Sequence, residues 1–547
     1  MTYATEVACR RTFAIISHPD AGKTTLTEKL LLYGGAVNLA GSVTAKKQQR
    51  QTSSDWMAIE KQRGISISST VLNFEYGGYQ INLLDTPGHK DFAEDTYRTL
   101  MAADSVIMLI DNAKGVEAQT KELFKVCRLR NIPVVTFINK MDREGRGPLE
   151  LLDEVESIFN IKPCAFNWPL GSGERFKGVY DRRKHQLHTF ERTAHGAYKA
   201  PVDVMARHDA EFEAFLASQG ADLAVIKEFE DEIDILDGVG HEYSHEEYLN
   251  GQLTPVFFGS AANNFGVQLF LDTFLPLAPA PRPRDCENNG LIAPESDDFS
   301  AYVFKIQANM NPSHRDCMTF VRICSGQFEK DMVVQHTPTG KSVRLTHAHK
   351  LFGQDRDTHT EGFAGDVIGL TSNQGVFSIG DTIYSGNPKK PVQFGGVPTF
   401  SPKVFAGIYN PNTAKYKQFT KGLEQLGREG AIQIITLQES GDFGGGYENQ
   451  ILAAMGQLQF EVVQHRLEHE YGVITRLTPM PEFTHARWLD DDDEVLAKVK
   501  GLHNAKPARD SENRPMLLFK GEWALNHALQ TQPDLSLYET PPNQRLG

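Results

Sequence analysis

Between residues 11 and 276, short apolar runs alternate with stretches in which apolar positions recur every three or four residues. The runs at 12–17, 81–84, 105–110, 134–138 and 256–258 predict strands, and the stretches at 23–33, 90–102, 119–129 and 148–159 predict helices. Strands that are apolar almost throughout, separated by amphipathic helices, imply an α/β domain with a mostly parallel sheet covered on both faces. The rhythm breaks at about 165–254, where turn-rich and acidic helical segments read as an insertion before the last strand, with a solvated face.

Four prolines within 275–284 stiffen the chain there and argue against helix or central strand. They close a first domain at 8–279 and open a linker at 280–297. Beyond it, 302–306, 319–323 and 343–346 alternate in polarity, and Gly-Asp pairs at 365–366 and 380–381 mark turns. That pattern predicts an antiparallel β-barrel over 298–395. From 398 to 547 a helix at 415–427, a β run at 432–436 and a helix at 449–470 predict an α+β third domain with a C-terminal tail. The acidic run at 490–494 reads as an exposed turn.

Composition narrows the class. The 547 residues are 40% hydrophobic and 23% charged, an ordinary folded chain with room for three or four domains. No apolar run approaches the ~20 residues that span a bilayer, and residues 1–11 lack a signal-peptide pattern. The expectation is a cytoplasmic protein with no membrane partner. Six cysteines without a C-x-x-C pair argue against zinc knuckles and a disulfide framework. A net charge of −14 disfavours indiscriminate phosphate binding and confines nucleic-acid contact to local patches.

The first strand runs directly into Ser17-His18-Pro19-Asp20-Ala21-Gly22-Lys23-Thr24-Thr25, and a helix follows. In a phosphate-binding loop the amides of a tight turn and a helix N-terminus surround anionic oxygens. Lys23 would reach the β- and γ-phosphates and the Thr24 hydroxyl would ligate Mg²⁺. The generic loop opens with Gly where this chain has Ser17, so taken alone the segment is equally an ordinary helix start. Asp85-Thr86-Pro87-Gly88-His89 ends the run 81–84: a strand-end Asp85 suits the metal and the Gly88 N–H suits the γ-phosphate. Asn139-Lys140-Met141-Asp142 follows 134–138, and Gly259-Ser260-Ala261 follows 256–258. Each by itself is a common turn. Four in this order at the carboxyl ends of parallel strands make one guanine-nucleotide site. Guanine fits because the Asp142 carboxylate only accepts hydrogen bonds, and guanine offers N1–H and an amine side by side.

The segment at 61–67 is a candidate switch. It continues a basic stretch at 39–63, where Lys46, Lys47, Arg50, Lys61 and Arg63 outnumber Asp55 and Glu60, and Ser66 supplies a second hydroxyl for Mg²⁺ when the γ-phosphate is present. The same segment also reads as an ordinary basic surface loop. His89, next to Gly88, is placed to orient a water for attack on the γ-phosphate. Asp20 would repel phosphate unless a cation lies between, which raises the expectation of a monovalent cation near it.

On 17–25 (SHPDAGKTT), 54–67, 82–100, 139–144 and 302–310, and over nearly its whole length, the chain resembles the translational GTPases, and among them the class 2 release factors. Elongation factors of that family carry Ala or Gly at the position of Ser17 and Thr at that of Ser66. The resemblance implies a P-loop GTPase domain with GTP/GDP and Mg²⁺ as ligands, followed by a barrel and a third domain that contact the ribosome. It implies ribosome-stimulated hydrolysis and departure of class 1 release factors after stop-codon-dependent peptide release, by a monomer. It maps water orientation onto His89, base recognition onto Asn139, Lys140 and Asp142, and an apolar gate onto Pro19 and Ile65. A translocase-like or ribosome-protection factor is the alternative. The chain after the barrel has room for about one more domain, whereas a translocase needs three.

Overall fold

The computed structural model describes residues 2–36, 58–63, 65–190, 202–206, 223–308, 317–352, 355–372, 376–386, 388, 390–396, 399–438, 450–499, 502 and 504–542. Lys46, Lys47, Arg50 and Asp55 of the candidate switch lie outside the described residues, as do 54–57 and Gly64.

Strands β1 (Arg10–Ser17), β2 (Thr70–Tyr76), β3 (Tyr79–Asp85), β4 (Ser105–Asp111), β5 (Val134–Asn139) and β6 (Lys162–Ala165) share one sheet with Leu253–Phe258. Its order is β2-β3-β1-β4-β5, then Leu253–Phe258, then β6. Every neighbouring pair is parallel except the β2–β3 hairpin. The central strands are buried at every position, which a parallel sheet covered on both faces requires. Alternation along β1 divides the two cores. Phe13 and Ile15 meet Leu26 and Leu30 of α2 (Lys23–Tyr33), following the short α1 (Tyr3–Ala8), together with Phe270 and Phe274. Ala14 and Ile16 belong to the opposite core with Leu100, Leu123 and Leu151.

Several expectations need correction. The periodicity at 449–470 is a strand, Gln450–Ala454, and then a helix, Gln457–Tyr471. Residues 451–454 are buried in mid-sheet, and Gly456 separates the two elements. The helix Val267–Leu277 continues through Pro276, in its last turn, into the segment expected to exclude helix. The acidic run is not only a turn, because Asp493 and Glu494 start the helix Asp493–Val499, where their charge favours the helix N-terminus. In the insertion, four strands from Asn167 to Ala206 form a separate antiparallel sheet; residues 191–201 and 207–222 lie outside the described residues.

Ser300–Ala308, Cys317–Ser325 and Val367–Ser372 are the central antiparallel strands of the barrel region, around Phe299, Val321 and Ile368. Phe352 of this region pairs with Leu72 of β2, so its strands continue the first domain's sheet. Buried polar contacts secure the junction: Arg322 pairs with Asp104, and both Thr12 Oγ1 and an Arg322 nitrogen donate to Gly365 O at 2.6 Å. The third domain is a seven-stranded sheet with the helices Tyr416–Arg428 and Gln457–Tyr471 on one face.

All three regions meet beneath residues 65–69. The α3 (Ala58–Arg63) carboxylate of Glu60 accepts the Ile67 and Ser68 amides at 2.9 and 3.2 Å. Asp95, in α4 (Ala93–Leu100), accepts the Ser69 amide at 2.6 Å. From the barrel, the Lys305 ammonium donates to Ser68 Oγ and Ser69 O. Burial pulls this ammonium below its ordinary value although Asp95, Glu60 and Glu429 pull the other way.

Candidate functional site

β1 ends at Ser17, and the chain turns through Asp20, with φ +68°, and Gly22, with φ +99°, into α2. No side chain caps α2, which leaves its first amides directed into the loop. Gly22 is required twice over: its φ is left-handed, and a Cβ there would lie 2.4 Å from Asn139 Nδ2. Gly22→Ala is therefore expected to strain the loop by ~1–3 kcal/mol and to weaken fluorescent-GDP binding at least tenfold in titration.

The strand-end loops converge on one cleft of about 340 Å³. The loop residues Ser17, His18, Pro19, Asp20, Gly22, Lys23, Thr24 and Thr25 line it, with Ile65 and Ser66 from the candidate switch. Gly88 and His89 enter from the end of β3, and Asn139, Lys140 and Asp142 from the end of β5. Arg143 and Ala262 also line it, and nothing in the motifs singled them out.

Other motif residues stand behind the walls. Asp85 accepts from Lys23 Nζ at 2.6 Å and from Thr27 Oγ1 at 3.2 Å in a buried cluster. Thr86 Oγ1 donates to Ile15 O, and Pro87 O accepts from Thr96. Ala21, Met141 and Ala261 are core residues, and Gly259 packs against Phe137, where a Cβ would lie 2.8 Å from the ring. Ser260 is fully buried. Asn139 ties the motifs to each other: its Nδ2 donates to Ala21 O and its Oδ1 accepts from Ala261 N, both at 2.9 Å. Its amide therefore braces three loops. Lys140 is held between the Asp20 carbonyl and Asp111, the latter at 2.7 Å. Burial alone would raise the Asp111 carboxyl, but Lys140 and the Ala113 and Lys114 amides together hold it below the usual range. A second strand-end aspartate in the sequence was the available signal for this partner.

Three polar atoms around the cleft, Ser17 Oγ, His18 Nδ1 and Asp142 Oδ1, are buried without a hydrogen-bond partner among the described residues. Buried polar atoms are ordinarily paired; a polar ligand that brings its own donors and acceptors fits these. Thr24 and Ser66 are half-buried hydroxyls on the wall that could ligate a cation, with Asp85 behind them. His89 caps the short 3₁₀ turn Lys90–Phe92: its Nδ1 accepts the Asp91 amide at 3.2 Å, which leaves the proton of the neutral ring on Nε2.

Residues 9–280 match the family described as Elongation factor Tu GTP binding domain, 298–386 Elongation factor G domain 2, and 394–529 Class II release factor RF3, C-terminal domain. A protein of Rippkaea orientalis named peptide chain release factor 3 is 54% identical over 533 residues, covering 97% of this chain and 96% of its own. One of the same name from Gloeobacter violaceus is 54% identical over 542 residues, 99% of each chain. A crystal structure from Thermus thermophilus shares the fold, with a TM-score of 0.68 at 23% identity over 88% of this chain and 69% of that one.

Proposed function

The chain belongs to the peptide chain release factor 3 family, guanine-nucleotide-binding GTPases of translation termination that work with the ribosome, and from that premise we propose how its cleft acts. GTP and water give GDP and phosphate at a rate the ribosome raises, and the cycle drives class 1 release factors off the ribosome after stop-codon-dependent peptide release. The carrying observation is the convergence of four strand-end loops on one cleft beside an unpartnered Asp142 oxygen.

In this reading the 17–25 loop amides and Lys23 bind the phosphates, with the Gly88 N–H at the γ-phosphate. Asp142 accepts the guanine N1–H and amine, Asn139 and Lys140 hold the loop that presents it, and Gly259, Ser260 and Ala261 brace that loop. His89 orients the attacking water through its Nε2–H, while Pro19 and Ile65 keep bulk water away. Thr24, Ser66 and Asp85 would hold Mg²⁺, which when bound supplies positive charge against the β- and γ-phosphate oxygens. A monovalent cation beside the exposed Asp20 is part of the same proposal; Asp20→Ala with unchanged potassium dependence would remove it.

We assign the working units to 8–279, 298–395 and 398–547, acting as a monomer in the cytoplasm; no helix among the described residues is long and apolar enough to cross a membrane. The test loads a post-termination ribosome with a fluorescent class 1 release factor. Adding this protein with GTP is expected to speed the factor's departure at least tenfold. An unchanged departure rate, with transfer RNAs translocating instead, would overturn the reading in favour of a translocase-like factor.

A further inference from the structure

Among the described residues, one buried carboxylate joins the third domain to the turn that follows His89. Asp91 stands in the 3₁₀ turn Lys90–Phe92, two residues after His89, and is buried. Its Oδ2 accepts the Leu458 amide at 3.0 Å, in the first turn of Gln457–Tyr471. That helix has Gly456 at its N-cap, which has no side chain to accept its first amides, although Gln459 Oε1 accepts the Gly456 amide itself at 3.3 Å. Asp91 supplies the missing acceptor from another domain, where an anion is also favoured by the helix dipole. The fit depends on Gly456 lacking a side chain: a Cβ there would lie 2.0 Å from Asp91 Cγ.

The other end of Asp91 holds the histidine. Its backbone amide donates to His89 Nδ1 at 3.2 Å, and its Oδ1 lies 3.4 Å from the same nitrogen. Next to it, Phe92 packs with Val462 of the third-domain helix and with Ile59 and Ile67 beside the candidate switch. Arg98 donates to Gly430 O at 3.1 Å along the same seam. One short turn therefore carries the His89 ring on one side and the third domain on the other. A turn of three residues has few contacts of its own, so its geometry follows whatever grips it.

We infer that Asp91 is a positioning residue that makes the orientation of His89 depend on docking of the third domain. With Leu458 N–H on Oδ2, the turn is fixed and His89 presents Nε2–H to the cleft. When the helix withdraws, the carboxylate loses its Leu458 donor and the turn that holds the ring loses a fixed support. Movement of the third domain thereby switches hydrolysis without touching the nucleotide. The inference rests on the role proposed for His89.

The experiment measures ribosome-stimulated GTP turnover by the full-length chain, with kcat and KM determined separately and thermal unfolding measured in GDP. Gly456→Ala, remote from the nucleotide loops, and Asp91→Ala are each expected to lower kcat at least fivefold with KM for GTP changed less than twofold. Asp91→Asn, whose amide oxygen still accepts the Leu458 N–H, is expected to recover most of the Asp91→Ala loss. Glu468→Ala, at an exposed position on the same helix, is expected to stay within twofold of the parent. A folded Gly456→Ala variant with parental kcat, or an Asp91→Asn variant as slow as Asp91→Ala, would overturn the inference while His89→Ala remains slow. If His89→Ala itself turns over normally, it is the underlying role of the histidine that fails.

Discussion

His89→Ala is expected to lower ribosome-stimulated GTP turnover by on the order of 10²-fold or more while leaving GDP affinity within about twofold. Orientation of a reacting water is worth that much, since a displacement of about 1 Å costs ~10²-fold. The ring lines the cleft, and its Nδ1 is used by the Asp91 amide of its own turn. The histidine donates in both its neutral and protonated forms from Nε2, so its function is orientation more than proton removal. His89→Gln, which keeps a donor at similar reach, is expected to retain more activity than His89→Ala. The measurement is a multiple-turnover phosphate-release assay on ribosomes, paired with equilibrium titration of fluorescent GDP. A variant that loses nucleotide affinity in step with turnover would make His89 a binding residue.

The candidate cleft was legible because its information is local. A fully apolar strand followed by a loop, then a helix, specifies the place of each motif. The helix Lys23–Tyr33 and the strand ends at Asp85 and Asn139 fall where periodicity put them. The same reasoning failed where tertiary contact overrides local pattern. Residues 451–454 sit in a run with apolar spacing compatible with helix, yet they are buried between two partner strands. The β2 strand was missed because it runs antiparallel to its neighbour β3 with a mixed pattern that a parallel-sheet expectation does not seek.

The supports of the site were illegible for another reason. Glu60, Asp91, Lys305 and Leu458 are scattered over the chain, and each is ordinary in its own window. Only folding brings a barrel lysine under Ser68 or a third-domain amide onto Asp91. Asn139 carries a bracing role that the motif does not show: the motif suggests base recognition, and each end of its amide also makes one hydrogen bond to a neighbouring loop. The proposed reading of the base rests most directly on Asp142, whose Oδ1 has no hydrogen-bond partner among the described residues.

Asp142→Asn is accordingly expected to weaken GTP and GDP binding by ~10²–10³-fold and to move preference toward xanthine nucleotides. The carboxylate accepts two hydrogen bonds, matching guanine's N1–H and exocyclic amine. An asparagine amide offers one acceptor and one donor, so its nitrogen faces the guanine amine, donor against donor, and one buried group on each side goes unpaired. Leaving a buried partner unsatisfied costs about 1–3 kcal/mol, and more when a charged acceptor is lost. Xanthine replaces the amine with a carbonyl and restores the match. The Asp142 Oδ1 atom is already buried without a partner among the described residues, so the substitution should disturb the ligand's hydrogen bonds more than the fold. Competition of GDP and xanthosine diphosphate against a fluorescent nucleotide reads the switch. Equal weakening of both bases, with no gain for xanthine, would mean that Asp142 acts on the loop and does not read the base.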